Sequence, residues 1–173
     1  TGRPVKMLYT RQESLLFHPK RHATVIRIKT GAKKDGTLMA VEAELYGDGG
    51  AYASLSDKVM TRATTHATGP YIMPHAQVDC YVMYTNNPPS GAFRGFGVTQ
   101  SAFAVEQNMD LLAEAIGMDP VEFRLKNALR AGELHPFSTA WSEGREPQPE
   151  IIQTNGLVEC VRRGKDVVGW DGK

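Results

Sequence analysis

The chain has 173 residues, close to the usual size of one domain and long enough for one substantial core. Its 41% apolar and 23% charged residues exclude a disordered chain, and a formal net charge of +1 excludes a global field that would recruit nucleic acid. An anionic membrane surface is excluded on the same ground, and no apolar run approaches the roughly 20 residues of a spanning helix.

The opening stretch, TGRPVKMLYT, carries neither an initiator methionine nor a basic-then-apolar leader, so it reads as internal to a longer polypeptide. Within it, PVKMLYT predicts a short strand. Thr10-Arg11-Gln12-Glu13 is a capping box that opens a short helix. Residues 22–30 are rich in strand formers, and Lys34-Asp35-Gly36 signals a turn. Beyond it, Met39, Val41, Ala43 and Leu45 alternate with Glu42 and Glu44, which predicts a hairpin with one wet face. Gly47-Asp48-Gly49-Gly50 ends or bulges that strand.

A helix is predicted over 56–67, closed by Gly69-Pro70, and a strand over 76–85. Apolar residues at helical spacing predict a long helix over 98–116, with Gly117 just beyond its end. Asp119-Pro120-Val121-Glu122 is a second helix start, with Asp as N-cap, Pro at the first helical position and Glu at the third. That helix is expected to run to about Gly132, followed by a loop to about Thr154 and a last short helix over 156–168. The expected fold class is α+β: antiparallel strands with helices packed against them, as a single domain over 1–173.

Most chemical signatures are missing. Cys80 and Cys160 fit no CxxC pattern and are expected to be reduced thiols of a cytoplasmic protein. His18, His22, His66, His75 and His135 lack metal-ligand spacing, and read as surface or satisfied core histidines. There is no nucleophile elbow and no P-loop, and Gln100 stands where a dinucleotide fingerprint needs its third glycine.

PPSGAFRGFG, from Pro88 to Gly97, is different. Its glycines let backbone N–H groups approach a ligand, and a long helix starts at Val98, where negative charge is favoured. Arg94 adds a forked donor for phosphate or oxo groups, and Phe93 and Phe96 offer an apolar wall to a flat ring. A tight turn with Arg94 in a salt bridge and both phenylalanines in the core fits the same residues. Composition leaves the two readings level.

GGAYASLSDKVMTRATTHATGPY, TNNPPSGAFRGFG and DPVEFRLKNAL, in that chain order, resemble the molybdenum-binding subunit of the xanthine dehydrogenase/aldehyde oxidase family. The resemblance covers nearly the whole chain and is weakest after Gly132. It implies a molybdenum hydroxylase whose molybdopterin cofactor carries molybdenum with oxo, sulfido and hydroxide ligands. In that family the hydroxide attacks an electron-poor carbon of a purine, another N-heterocycle or an aldehyde, and hydride passes to the sulfido ligand. The preferred substrate on this reading is a purine such as xanthine or hypoxanthine.

The resemblance also assigns residues. Arg94, followed by Gly95, matches the arginine beside the molybdenum centre. Phe96 matches the phenylalanine against the substrate ring, and Arg62 the arginine that purine-oxidising members place on the substrate. GFGVTQ departs from the family, where glycine or alanine and then proline commonly precede the glutamine. The upstream cofactor-binding motifs and the C-terminal general-base glutamate fall outside this segment. The implied partners are therefore the remainder of the molybdenum subunit, plus iron–sulfur and flavin (FAD) domains or subunits. The segment alone is expected to be inactive. A non-catalytic module that kept the fold remains the contrasting expectation.

Overall fold

The computed structural model describes residues 2–137, 149 and 151–172. Helix α1 (Arg11–Phe17) opens as the sequence predicts: Glu13 N donates to Thr10 Oγ1 at 3.2 Å, and Thr10 N donates to Glu13 Oε2 at 2.8 Å. Residues 3–9 form no strand. Val5, Met7 and Leu8 are exposed there, and a strand without a partner gains too little to persist.

Strands β1 (Thr24–Ala32) and β2 (Leu38–Gly50) form the expected hairpin. Glu42 and Glu44 line its wet face, where Lys29 and Arg27 pair with them across the strands. Val41, Ala43 and Leu45 are buried on the other face. Leu38, rather than Met39, continues that dry face. The register shifts where Gly31 faces Ala40 and Ala32 faces Leu38, so Met39 is an extra residue and the parity changes.

Helix α2 (Ser56–Thr65) then carries the chain to strand β3 (His75–Tyr84). Here the all-antiparallel expectation needs correcting: β3 pairs with β2 in parallel, giving a mixed three-stranded sheet in the order β1-β2-β3. Two parallel neighbours need a crossover that returns the chain to the same end of the sheet, and α2 supplies it. The α+β class stands.

Helices α3 (Val98–Ile116) and α4 (Pro120–Asn127) follow. Gly117 takes the left-handed conformation at φ +67° and stops α3. Asp119 caps α4 through Val121 N and Glu122 N, both at 2.9 Å. This helix ends at Asn127 and does not reach Gly132. Ile72 N donates to Asn127 O and Leu129 N to Pro70 O, so the backbone of 127–129 is taken by 70–72. The Asn127 side chain adds bonds to Leu38 N and Gly36 O, fastening α4 to the hairpin turn.

Helix α5 (Leu157–Val167) and a short 3-10 turn, Trp170–Gly172, close the chain. Much of the predicted loop before α5 lies outside the described residues. Two apolar clusters occupy one face of the sheet. Leu38, Val41, Val105, Met109 and Phe123 pack beneath α3 and α4, while Ala43, Leu45, Met60 and Ala63 pack beneath α2.

Candidate active site

Because β2 and β3 are parallel, their C-terminal ends lie side by side, with Gly50 opposite Tyr84. Ligand sites on parallel sheets gather at this end of the strands. PPSGAFRGFG leaves from there and runs into α3.

Asp48 organises the base of the loop. Its carboxylate accepts from Thr85 Oγ1 at 2.6 Å, from Gly50 N at 2.9 Å and from Asn87 Nδ2. The Thr85 and Asn87 bonds, with that from Gly50 and the charge of His22, hold its pKa below the ordinary 3.8. The backbone packs closely here. A Cβ on Gly50 would lie 2.4 Å from Pro88 O, and Gly50 already has φ +76°.

Further along, Ser90 N donates to Gly49 O at 3.0 Å and Gly91 N to Lys20 O at 2.9 Å. Gly95 (φ +92°) and Gly97 (φ +98°) make the final turn into α3. Phe96 between them holds φ +47°, a conformation that costs a bulky residue on the order of 1–3 kcal/mol and concentrates at functional sites. Gly97 rests directly on α2: its added Cβ would fall 2.0 Å from Val59 O and 2.9 Å from Ala63 N. The loop carrying Arg94, Gly95 and Phe96 therefore abuts the helical turn that carries Arg62. That contact brings the four sequence-predicted residues to one region of the fold.

Arg94 is exposed, and its guanidinium makes no hydrogen bond or ion pair with any described residue. Phe93 and Phe96 do not share one role. Phe93 is half exposed beneath the Arg21 guanidinium, 4.6 Å from its ring centroid, whereas Phe96 is half-buried. Arg62 offers its carbonyl oxygen to His66 N and Nδ1 from within α2.

Sequence reasoning missed three polar residues beside this loop. Arg21 reaches Arg94 O at 2.5 Å, and also Thr99 Oγ1 and Gln100 Oε1. His22 is buried, with Nε2 2.7 Å from Ser56 Oγ at the start of α2. Burial lowers its pKa below 6.5, against the opposing pull of Asp48. Asp48 itself stood in the sequence only as part of a strand-ending glycine run. The run Lys20-Arg21-His22 was the one local signal, and it gives no hint of partners 34–79 positions away.

Comparison with known proteins decides the family, for residues 1–128 match the molybdopterin cofactor-binding domain. The chain belongs to this family. Over 171 residues, 99% of the chain, it is 52% identical to the nicotinate dehydrogenase large molybdopterin subunit of Eubacterium barkeri. It is 43% identical over 137 residues, 79% of the chain, to a subunit of a probable xanthine dehydrogenase from Bacillus subtilis. The chain spans 39% of the first relative and 18% of the second. The solved aldehyde oxidoreductase of Desulfovibrio gigas superposes with a TM-score of 0.79 at 34% identity, covering 92% of this chain and 16% of that one.

The molybdopterin-binding domain supplies donors that suit an anionic, oxo-rich group. The Arg94 guanidinium is open, whereas at the start of α3 Val98 N and Gln100 N already donate to Gly95 O and Gly97 O. The Asp48 carboxylate, which would repel such a group, is occupied at the loop base instead. The chemistry of the open Arg94 fork suits one side of such an anionic group.

Proposed function

We propose that this chain forms one wall of the substrate and cofactor site of a molybdenum hydroxylase that acts on an electron-poor N-heterocycle. Arg94 and the backbone at Gly95 would hold the cofactor, and Arg62 and Phe96 the ring. The observation that carries this reading is the seating of Gly97 on Val59 and Ala63, which joins the Arg94 loop to the Arg62 helix. When bound, molybdopterin supplies the oxidising chemistry and the oxygen transfer.

The chain's own residues bind and orient. Phe96 lies between two glycines at φ +47° and is half-buried, and stacking on a flat ring would add about 1 kcal/mol to simple burial. Oxidation of an aromatic N-heterocycle builds negative charge on the ring, and a guanidinium from Arg62 would stabilise that charge more than the ground state. A purine such as xanthine is the substrate class that this assignment of Arg62 favours. Nicotinate is the second reading, favoured by the 52% identity to a nicotinate dehydrogenase subunit.

The general base, the other cofactor contacts, and the iron–sulfur and flavin partners belong to the rest of the enzyme. A cytoplasmic location is part of the same proposal.

The test is kinetic, in the full-length enzyme. Xanthine and nicotinate decide between the two ring classes, and an aldehyde serves as control. Arg62→Met should lower kcat/KM for the accepted heterocycle by about 10²–10³, the scale of a lost oxyanion donor, and spare the aldehyde. Equal losses on both would remove the role given to Arg62. The isolated segment should retain almost no molybdenum; stoichiometric metal in it would overturn the one-wall arrangement.

A further inference from the structure

Three consecutive residues hold three different parts of the site. Lys20 forms a parallel bridge with Ser90 and takes the hydrogen bond from Gly91 N, so its backbone holds the loop's base. His22, buried, ties the start of β1 to Ser56 at the start of α2. Arg21, between them, reaches the loop's tip.

We propose that Arg21 is a positioning residue for the site, its guanidinium fixing Arg94 and Phe96 by joining Phe93, Arg94, Thr99 and Gln100. Nη2 donates to Arg94 O at 2.5 Å. Nη1 donates to Thr99 Oγ1 and to Gln100 Oε1, the latter at 3.3 Å. The guanidinium also covers the Phe93 ring at 4.6 Å. These partners bracket Gly95, Phe96 and Gly97 on both sides, so the strained segment is pinned at both ends by one cation.

The geometry favours arginine. A planar fork holds its donors in fixed directions while its face lies on a ring; an ammonium, a compact charge on a flexible stem, fixes neither its donors nor a flat face. Arg21 acts on Arg94 through the main-chain oxygen, which leaves the Arg94 guanidinium open to a ligand. The clamp therefore orders the residue without neutralising it. Its functional meaning rests on the roles proposed above for Arg94 and Phe96.

The experiment is hydrogen exchange read by mass spectrometry on the full-length protein, without substrate, comparing Arg21→Gln, Arg21→Lys and Phe93→Leu with the wild type. Arg21→Gln should speed exchange of the amides of 94–100 about tenfold or more, the size expected from losing bonds to a charged group, and leave β2 unchanged. Arg21→Lys should fail to restore protection. Phe93→Leu, which keeps the hydrogen bonds, should give a smaller increase in the same amides. Unchanged exchange at 94–100, full rescue by lysine, or a parallel rise in β2 each overturns the proposal. If Arg21→Gln does not accumulate as folded protein, Arg21→Lys and Phe93→Leu decide it alone. Exchange is read without turnover, so a failure to oxidise N-heterocycles would leave this result intact, and the reverse holds too.

Discussion

Gly97 and Val59 meet backbone to backbone: no side chain fits between the loop and α2, because a Cβ on Gly97 would lie 2.0 Å from Val59 O. Gly97 also sits at φ +98°, which L-residues rarely adopt. Gly97→Ala should therefore combine backbone strain with overpacking and destabilise the protein by about 2–4 kcal/mol. A fall in apparent Tm of the full-length protein checks this. A wild-type Tm would show that loop and helix separate readily.

His22 gives a pH dependence of known sign. Burial favours its neutral form, so its folded pKa lies below the ordinary 6.5. Stability is full above 6.5, is lost as pH falls below that value because the unfolded chain takes up a proton first, and levels off beneath the folded pKa. His22→Gln should flatten the Tm profile between about pH 7 and 5. A slope identical to wild type would assign the effect to other groups.

Asp48 works in the opposite range. Its pKa is lowered by the bonds from Thr85, Asn87 and Gly50, so its contribution is fully present above 3.8 and vanishes as pH falls through the folded value. Asp48→Asn should be less stable than wild type at neutral pH, and the two should converge in strong acid. A gap that stays constant with pH would mean that the charge is irrelevant to the loop base.

Asp119 joins two elements with one carboxylate. One oxygen caps α4, and the other accepts from Trp170 Nε1 at 2.7 Å. Asp119→Ala should cost about 1–2 kcal/mol for the lost cap and shift the Trp170 fluorescence together with it. Asp119→Asn, which keeps a capping oxygen, should recover part of the stability. An unaltered emission spectrum in the alanine variant would place Trp170 elsewhere in solution.

The sequence made some elements legible and hid others for physical reasons. Thr10 and Glu13, Asp119 and Pro120, and Gly117 act within a few residues of their own helices, so their meaning is local. Alternation along β2 shows which face is dry, but side-chain parity carries no information about the direction of a neighbour, and β3 proved parallel. The exchange of Leu38 for Met39 on the dry face came from a bulge, which alternation alone does not reveal. Arg62, Arg94, Gly95 and Phe96 were marked by motif resemblance. Arg21 and His22 were not, since their partners stand 34 to 79 residues downstream. Such contacts leave no period in the chain.

That separation also has a temporal side. Arg21 leaves the ribosome 79 residues before Gln100, a wait of about 4–16 s at about 5–20 residues per second. Over that interval the β1–β2 hairpin can close on local contacts, while a cationic side chain remains without its acceptors and a half-built sheet without β3. The site is thus the last part of the sheet region to be synthesised and the first to be lost from a truncated or stalled chain. A nascent chain cut short before Gln100 should carry the hairpin yet lack the Thr99 and Gln100 acceptors through which Arg21 orders the loop.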